Sequence, residues 1–396
     1  MMTRKQFAFL AILLMVGLLA RVLATAVSPT LAQSDPQAAA LDWLVNTHQN
    51  DDGGYSSFSA GANQAPSDFA GTFDALLAIA AAGGDASKPL AYLEEQAADV
   101  AAYAASEGGS AGKALLALSM AGADPHDFTG QDLSLALTEH ISPTGQYNTY
   151  TAYTQALAIL GLIRVGDGVD GTAVTWLQSL QAEDGSWDDG YGTNGNIDAT
   201  AMSVMALVAN GISVSDDSLI RAGDFLRQAQ IEGGGWEYSA GFGENANSTA
   251  LAIQALSALG DDVTPYMDAL LTWQGESGAF QADFGDGRFD DFFTTVQAIP
   301  ALTGRPYPFR VLTDMAIAAE PAQLSEEPAL TKEPVSTEVA PSEEPTPTEE
   351  AAPVTQTETQ PAETTPAEES GAPSFIFIVI AAVIVLAGAY WAIKRG

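Results

Sequence analysis

The chain has 396 residues, a formal net charge of −36 and no cysteine. A surface this acidic repels phosphate backbones and excludes nucleic acid as a partner. Without cysteine there are no disulfides, thiolate nucleophiles or cysteine-ligated metals, so stability rests on packing.

The chain opens with Arg4 and Lys5, an apolar run from Phe7 to Ala20 and small residues ending at Ala32. This is the form of a secretory signal, assigned to residues 1–32.

Residues 36–310 hold a recurring signature. A glutamine is followed four residues later by glycine and six later by an aromatic: Gln49/Gly53/Tyr55, Gln181/Gly185/Trp187, Gln230/Gly234/Trp236 and Gln274/Gly278/Phe280. The segment before it is amphipathic, as in Trp176-Leu177 with Leu180 and Phe225-Leu226 with Ala229. The segment after it is apolar nearly all round, as from Ala199 to Leu207 and from Ser248 to Gly260, so it needs burial on every face. Two further copies surround Gly108-Gly109 and Gly145-Gln146-Tyr147, and glycines at 83, 122, 211, 260 and 304 close the apolar helices. Six helix pairs of roughly 40 to 50 residues stack because none can hide its own apolar face. The fold class predicted is all-α, an (α/α)6 toroid with inner helices ringed by outer ones. The signature itself reads as structural: glutamine bonds the backbone of a neighbouring repeat, glycine allows positive φ, and the aromatic covers a helix end.

Residues 320–372 change to Pro, Thr, Ala and Glu with no aromatic, a disordered acidic stalk able to extend to roughly 150 Å. Residues 374–393 carry no charge and are followed by Lys394-Arg395, a membrane span with its short end in the cytoplasm. The body is therefore expected outside the cell, tethered by a single C-terminal pass.

At its signature the chain resembles the squalene–hopene cyclase and protein prenyltransferase superfamily of α/α toroids, whose repeat reads Gln-x3-Gly-x-Trp. Gln181 to Trp187 and Gln230 to Trp236 match in full; the other two substitute another aromatic. The resemblance covers roughly residues 36–308 and implies the toroid. The activities it implies lack their residues here. No Asp-x-Asp-Asp acid occurs, the nearest acids being Asp283, Asp286, Asp290 and Asp291. The zinc site of the transferases and the thioester of complement-like relatives both need a cysteine. His48, His126 and His140 are scattered and read as surface residues. Asn196-Ile-Asp198 and Asn247-Ser248-Thr249 through Gln254 look like inner-helix starts of the transcobalamin and intrinsic-factor α-domain, which binds cobalamin. In those carriers a β-rich domain closes over the vitamin; here the stalk follows.

In a toroid the turns leading into the inner helices ring one mouth of the central cavity, the default binding site. Asp74, Tyr150, Tyr153, Asp198, Asn247, Ser248, Asp290 and Asp291 are assigned to that ring, with Gln254 added by the vitamin-carrier resemblance. Asp198, Asn247 and Ser248 also read as helix N-caps. Asp51-Asp52 and Asp188-Asp189 lack the alternating pattern of a calcium loop and read as solvated turns. No cofactor or metal is implied. The expected function is a membrane-tethered binding module for a small molecule, cobalamin-like or isoprenoid, or for an envelope glycan. The alternative is an extracytoplasmic enzyme, terpene-cyclase-like or glycan-active, using acidic residues such as Asp74, Asp198 and Asp291.

Overall fold

The computed structural model describes residues 35–309; the expected signal peptide, stalk and membrane span lie outside them. Among the described residues no helix is long and apolar enough to cross a membrane.

The apolar segments form the inner helices α2 (Phe69–Ala81), α5 (Gly108–Met120), α7 (Ala152–Val165), α9 (Ile197–Ala209), α11 (Ala246–Leu259) and α13 (Phe292–Leu302). Outside them lie α1 (Pro36–Trp43), α3 (Ser87–Glu95), α4 (Ala97–Ser106), α6 (Leu135–Thr138), α8 (Gly171–Ser179), α10 (Asp217–Gln228) and α12 (Thr264–Leu271). Each inner helix packs on the next, and α13 returns to pack on α2 and α1, so the ring closes as predicted. The inner helices are buried nearly throughout; in α9 every residue from Ala199 to Leu207 is buried. The second repeat splits its outer rod into α3 and α4, and the third shortens it to the single turn α6.

The signature does three jobs at once. Gln49, Gln181, Gln230 and Gln274 each donate from Nε2 to the carbonyl of their own signature glycine, at 2.8 to 3.0 Å. Gln181 also donates to Ser218 O in α10 at 2.8 Å, and Gln274 to Pro36 O in α1 at 2.7 Å. The latter bond stitches the sixth repeat to the first. The glycines of the turn lie at positive φ, +92° for Gly185, and press onto the next outer helix. A Cβ on Gly185 would run into the Arg221 carbonyl, and one on Gly278 would stand 2.5 Å from Ala39 O. Finally, the aromatic's backbone N–H donates to a threonine hydroxyl on the following inner helix: Tyr55 to Thr72, Trp187 to Thr200, Trp236 to Thr249 and Phe280 to Thr295. The indoles of Trp187 and Trp236 cap the outer helices through Leu177 O and Leu226 O, both at 2.7 Å.

The third repeat has no signature glutamine, and Gln155 of α7 substitutes for it. It stands at the helical position that threonine occupies elsewhere, accepts from Tyr147 N at 3.2 Å and donates to Gly145 O at 2.8 Å and Ala173 O at 3.3 Å. One side chain thus replaces both the threonine and the missing glutamine.

His48 is the clear departure from expectation. After α1 the chain widens into a π-helical turn, Leu44–His48, which folds the imidazole against the rings of Trp43 and Phe292, each centroid 4.9 Å away. The side chain is buried, 1 % exposed, and burial lowers its pKa so that it stays neutral.

Gly185→Ala is expected to destabilise the protein by about 3 kcal/mol, because positive φ and the Arg221 carbonyl both oppose a Cβ. Gly211→Ala, at φ +86° but with open space around it, should cost about 1 kcal/mol. Denaturant titration of the two variants checks the ratio; equal costs would refute the close-approach argument.

Candidate binding site in the barrel lumen and on its rim

All inner helices start at the same end of the barrel, and the loops leading into them form its rim. Each signature aromatic pairs through its backbone with the residue that caps the next inner helix: Tyr55 with Asp68, Trp187 with Asn196, and Trp236 with Asn245. Phe280 O accepts from Asp291 N at 3.0 Å in the same way. The rim loops are therefore hairpins pinned at the base, two of them carrying short antiparallel ladders, β1 (Trp236–Glu237) with β2 (Glu244–Asn245) and β3 (Gln281–Ala282) with β4 (Phe289–Asp290).

These bases decide the capping. Asn196 Oδ1 accepts from Ala199 N at 2.7 Å, Asn245 Oδ1 from Ser248 N at 2.8 Å, and Asp291 Oδ2 from Thr294 N at 2.7 Å. The N-cap assignment of Asp198, Asn247 and Ser248 is thus corrected, since all three sit inside the first turn. Asp291 is itself a cap, and Asp290 is an exposed strand residue bonded to Gln281 Nε2 at 3.0 Å; neither faces the lumen as a free carboxylate.

The lumen brings together Asp74, Lys113, Tyr153, Gln254 and Tyr307. Asp74 and Gln254 lie deeper than the rim, well along α2 and α11. Lys113 Nζ stands 2.7 Å from Asp74 Oδ1, with the side chains 20 % and 15 % exposed. Burial alone would lower the Lys113 pKa, but the Asp74 carboxylate outweighs it and holds the ammonium above the usual lysine range. Burial pulls Asp74 toward protonation, yet at this distance from an ammonium the carboxylate stays ionised, and the pair is a charged one. Asn247 is committed to structure, donating to Gln297 Oε1 at 2.9 Å and accepting from Thr294 Oγ1 at 3.0 Å.

Asp198 is different. Its carboxyl has no cation beside it, its Oδ1 has no hydrogen-bond partner, and burial pushes its pKa up to about 6. Ser248 stands close enough to oppose the shift but not in bonding geometry, so its hydroxyl is also unpartnered, as is Gln254 Oε1. Burial likewise raises the phenol of Tyr153.

The far end of the lumen is closed by the chain that follows α13. Ser257 Oγ donates to Gly304 O at 2.9 Å, the Arg164 guanidinium donates to Phe309 O, and between them Tyr307 lines the lumen with Asp74. The free space that remains is about 30 Å³, on the order of one water. Lys113 and Tyr307 went unrecognised in the sequence. A lone lysine inside an apolar run was the available signal for the first; the second lies past the last helix and gave none.

The rim holds what the lumen does not. Phe58, Tyr150, Tyr191, Phe242, Phe284, Phe289 and Phe293 are all exposed, and they occupy the loops or first turns of five of the six repeats. Arg288, a basic residue of the last rim hairpin, is stacked 3.7 Å over Trp273, while Asp188, Asp283, Asp286 and Asp290 stand exposed.

Lys113→Met leaves Asp74 without its counter-ion and is expected to cost about 3 kcal/mol, most of it recovered in Asp74→Leu/Lys113→Met; denaturant titration reads both. Asp198 supplies a pH signature. Its folded pKa of about 6 lies above the ordinary 3.8, so its protonated form contributes stability that is fully present below the unfolded value and is lost as pH rises through about 6. Asp198→Asn should remove that loss, on the order of 3 kcal/mol, in melting curves recorded across this window.

The family model of the Prenyltransferase alpha-alpha toroid domain matches residues 131–224 and 210–299. No curated protein matches the chain. Among solved structures, type II terpene cyclase MstE from Scytonema is similar at a TM-score of 0.53 and 19% identity, over 69% of this chain and 98% of that one. A variant of that cyclase in complex with geranylgeranyl dihydroxybenzoate gives 0.53 and 17%, over 68% and 96%. A protein from Actinoplanes gives 0.53 and 16%, over 68% and 98%. At these identities the likeness is one of fold.

Proposed function

We propose that this chain, an α/α toroid whose residues 131–224 and 210–299 match the Prenyltransferase alpha-alpha toroid domain, is a binding module taking its ligand on the rim rather than in an enclosed reaction chamber. The observation that carries this reading is the contrast between a lumen of about 30 Å³ and a rim bearing exposed aromatics on five repeats. Ligand-sized sites measure roughly 300 to 1,000 Å³, so an isoprenoid chain or a corrin has no room inside. Acidic groups between the aromatics disfavour anions and favour neutral or cationic ligands with apolar faces. The signal-like start, acidic stalk and uncharged C-terminal segment support an extracytoplasmic module held to the membrane by one pass.

Cobalamin, squalene and neutral oligosaccharides, each added to the full-length protein in detergent, test this through the melting temperature. A ligand at 100 times its Kd stabilises by about 2.7 kcal/mol. The shift should vanish in Phe242→Ala/Phe284→Ala, whose own melting temperature should match that of the parent. An equal shift in the variant would move the site off the rim.

A second reading, an enzyme, draws on Asp198. A carboxyl with a pKa near 6 and no counter-ion is suited to general acid work near neutral pH. On this reading Asp198→Asn abolishes turnover of a terpenoid or glycan substrate while the fold persists; retained turnover would dismiss it.

A further inference from the structure

The third repeat carries a feature that none of the others shares. With its outer rod cut to α6, the flank between the end of α4 and the segment leading into α7 opens as a groove of about 510 Å³. Its lining includes Tyr150, His140, Gln146, Asn148, Ser142 and Thr149. In a chain with 50 acidic and 14 basic residues, no carboxylate, lysine or arginine among the described residues lines this groove.

Its side chains are also available in an ordered way. Tyr150 is 73 % exposed, and its phenol makes no hydrogen bond among the described residues. Asn148 sits at φ +53°, a conformation asparagine tolerates better than most residues, and its backbone is fixed by Gly108 N donating to its carbonyl at 3.1 Å. Its amide makes only a long 3.4 Å contact with Ser106 O, leaving donor and acceptor capacity for a ligand. Gln146 is held in place, receiving Thr144 Oγ1 at 2.9 Å and donating to Thr149 O at 3.2 Å. Below it, Gln155 ties the floor to the barrel through Tyr147 and Gly145.

We propose that this groove binds a neutral carbohydrate, with a pyranose ring stacked on Tyr150 and its hydroxyls paired with the amide of Asn148 and the imidazole of His140. A pyranose has an apolar C–H face suited to an aromatic platform. Its edge of hydroxyls both donates and accepts, as a carboxamide does and a single charged group does not. A cationic ligand would call for carboxylates in the lining, and a lipid for apolar walls; the groove offers neither. The volume lies within the range of small-ligand sites. This proposal rests on the rim reading, of which it names one station and one ligand class.

Calorimetric titration of the full-length protein in detergent with cellotetraose, maltotetraose and chitotetraose is the test. At least one should bind, and raising NaCl from about 50 to 500 mM should leave its Kd within about twofold, because no charge is involved. Tyr150→Ala should weaken binding about tenfold, while Tyr150→Phe, which keeps the ring, should stay near the parent. Asn148→Gly, which keeps the left-handed backbone, should also weaken it several-fold. If no tetrasaccharide binds, or if binding survives Tyr150→Ala, the proposal is overturned. The rim reading is judged separately: it stands if Phe242→Ala/Phe284→Ala weakens binding of any ligand from the wider panel. Sugar binding lost in the Tyr150 and Asn148 variants but untouched in the Phe242/Phe284 variant would uphold the groove and confine recognition to it.

Discussion

The barrel depends on one contact made again around its circumference: a tight turn at positive φ pressed against the backbone of the next outer helix. At Gly53, Gly145, Gly185 and Gly278 a side chain's Cβ would meet a carbonyl of the neighbouring rod, so only glycine lets adjacent repeats come this close. The glutamine then converts proximity into hydrogen bonds, and the aromatic fixes the depth at which the inner helix sits. These are short-range constraints, yet applied in series they set the curvature of the whole ring.

That division of labour separates scaffold from recognition. The base of each rim hairpin is held by backbone pairing between an aromatic and a cap, and what lies beyond the base is free to differ. The tips do differ, in length and in content: Phe58, Tyr191, Phe242 and Phe284 come from four unlike loops. The lumen, by contrast, is filled by an ion pair and closed from below by Tyr307, so Gln254, whose Oε1 has no partner, faces a very small space.

The architecture was legible because the signature is local and repeats. A glutamine, a glycine and an aromatic at fixed spacing determine a turn, and the apolar segment after them can only be an inner rod. The site was less legible because it depends on which of several capable residues the turn selects. Asn196-Ile-Asp198 offers two N-cap candidates, and pairing with Trp187 chooses the first, leaving the Asp198 carboxyl buried and outside the cap. Likewise His48 lies among polar residues in sequence, and only the π-helical turn buries it. Gln155 could not be recognised as a substitute clamp, since its partners Gly145 and Ala173 flank it ten and eighteen residues away.

The bond from Gln274 to the Pro36 carbonyl has a consequence of its own. A linear array of repeats frays from its two terminal units, each of which lacks a neighbour on one side. Here the seam supplies that neighbour, so every unit has two and none is a weak starting point for melting. Loss of any single junction turns a hoop into a strip with two loose edges, which couples the fate of all junctions and makes unfolding more nearly all-or-none than in an open stack of the same helices.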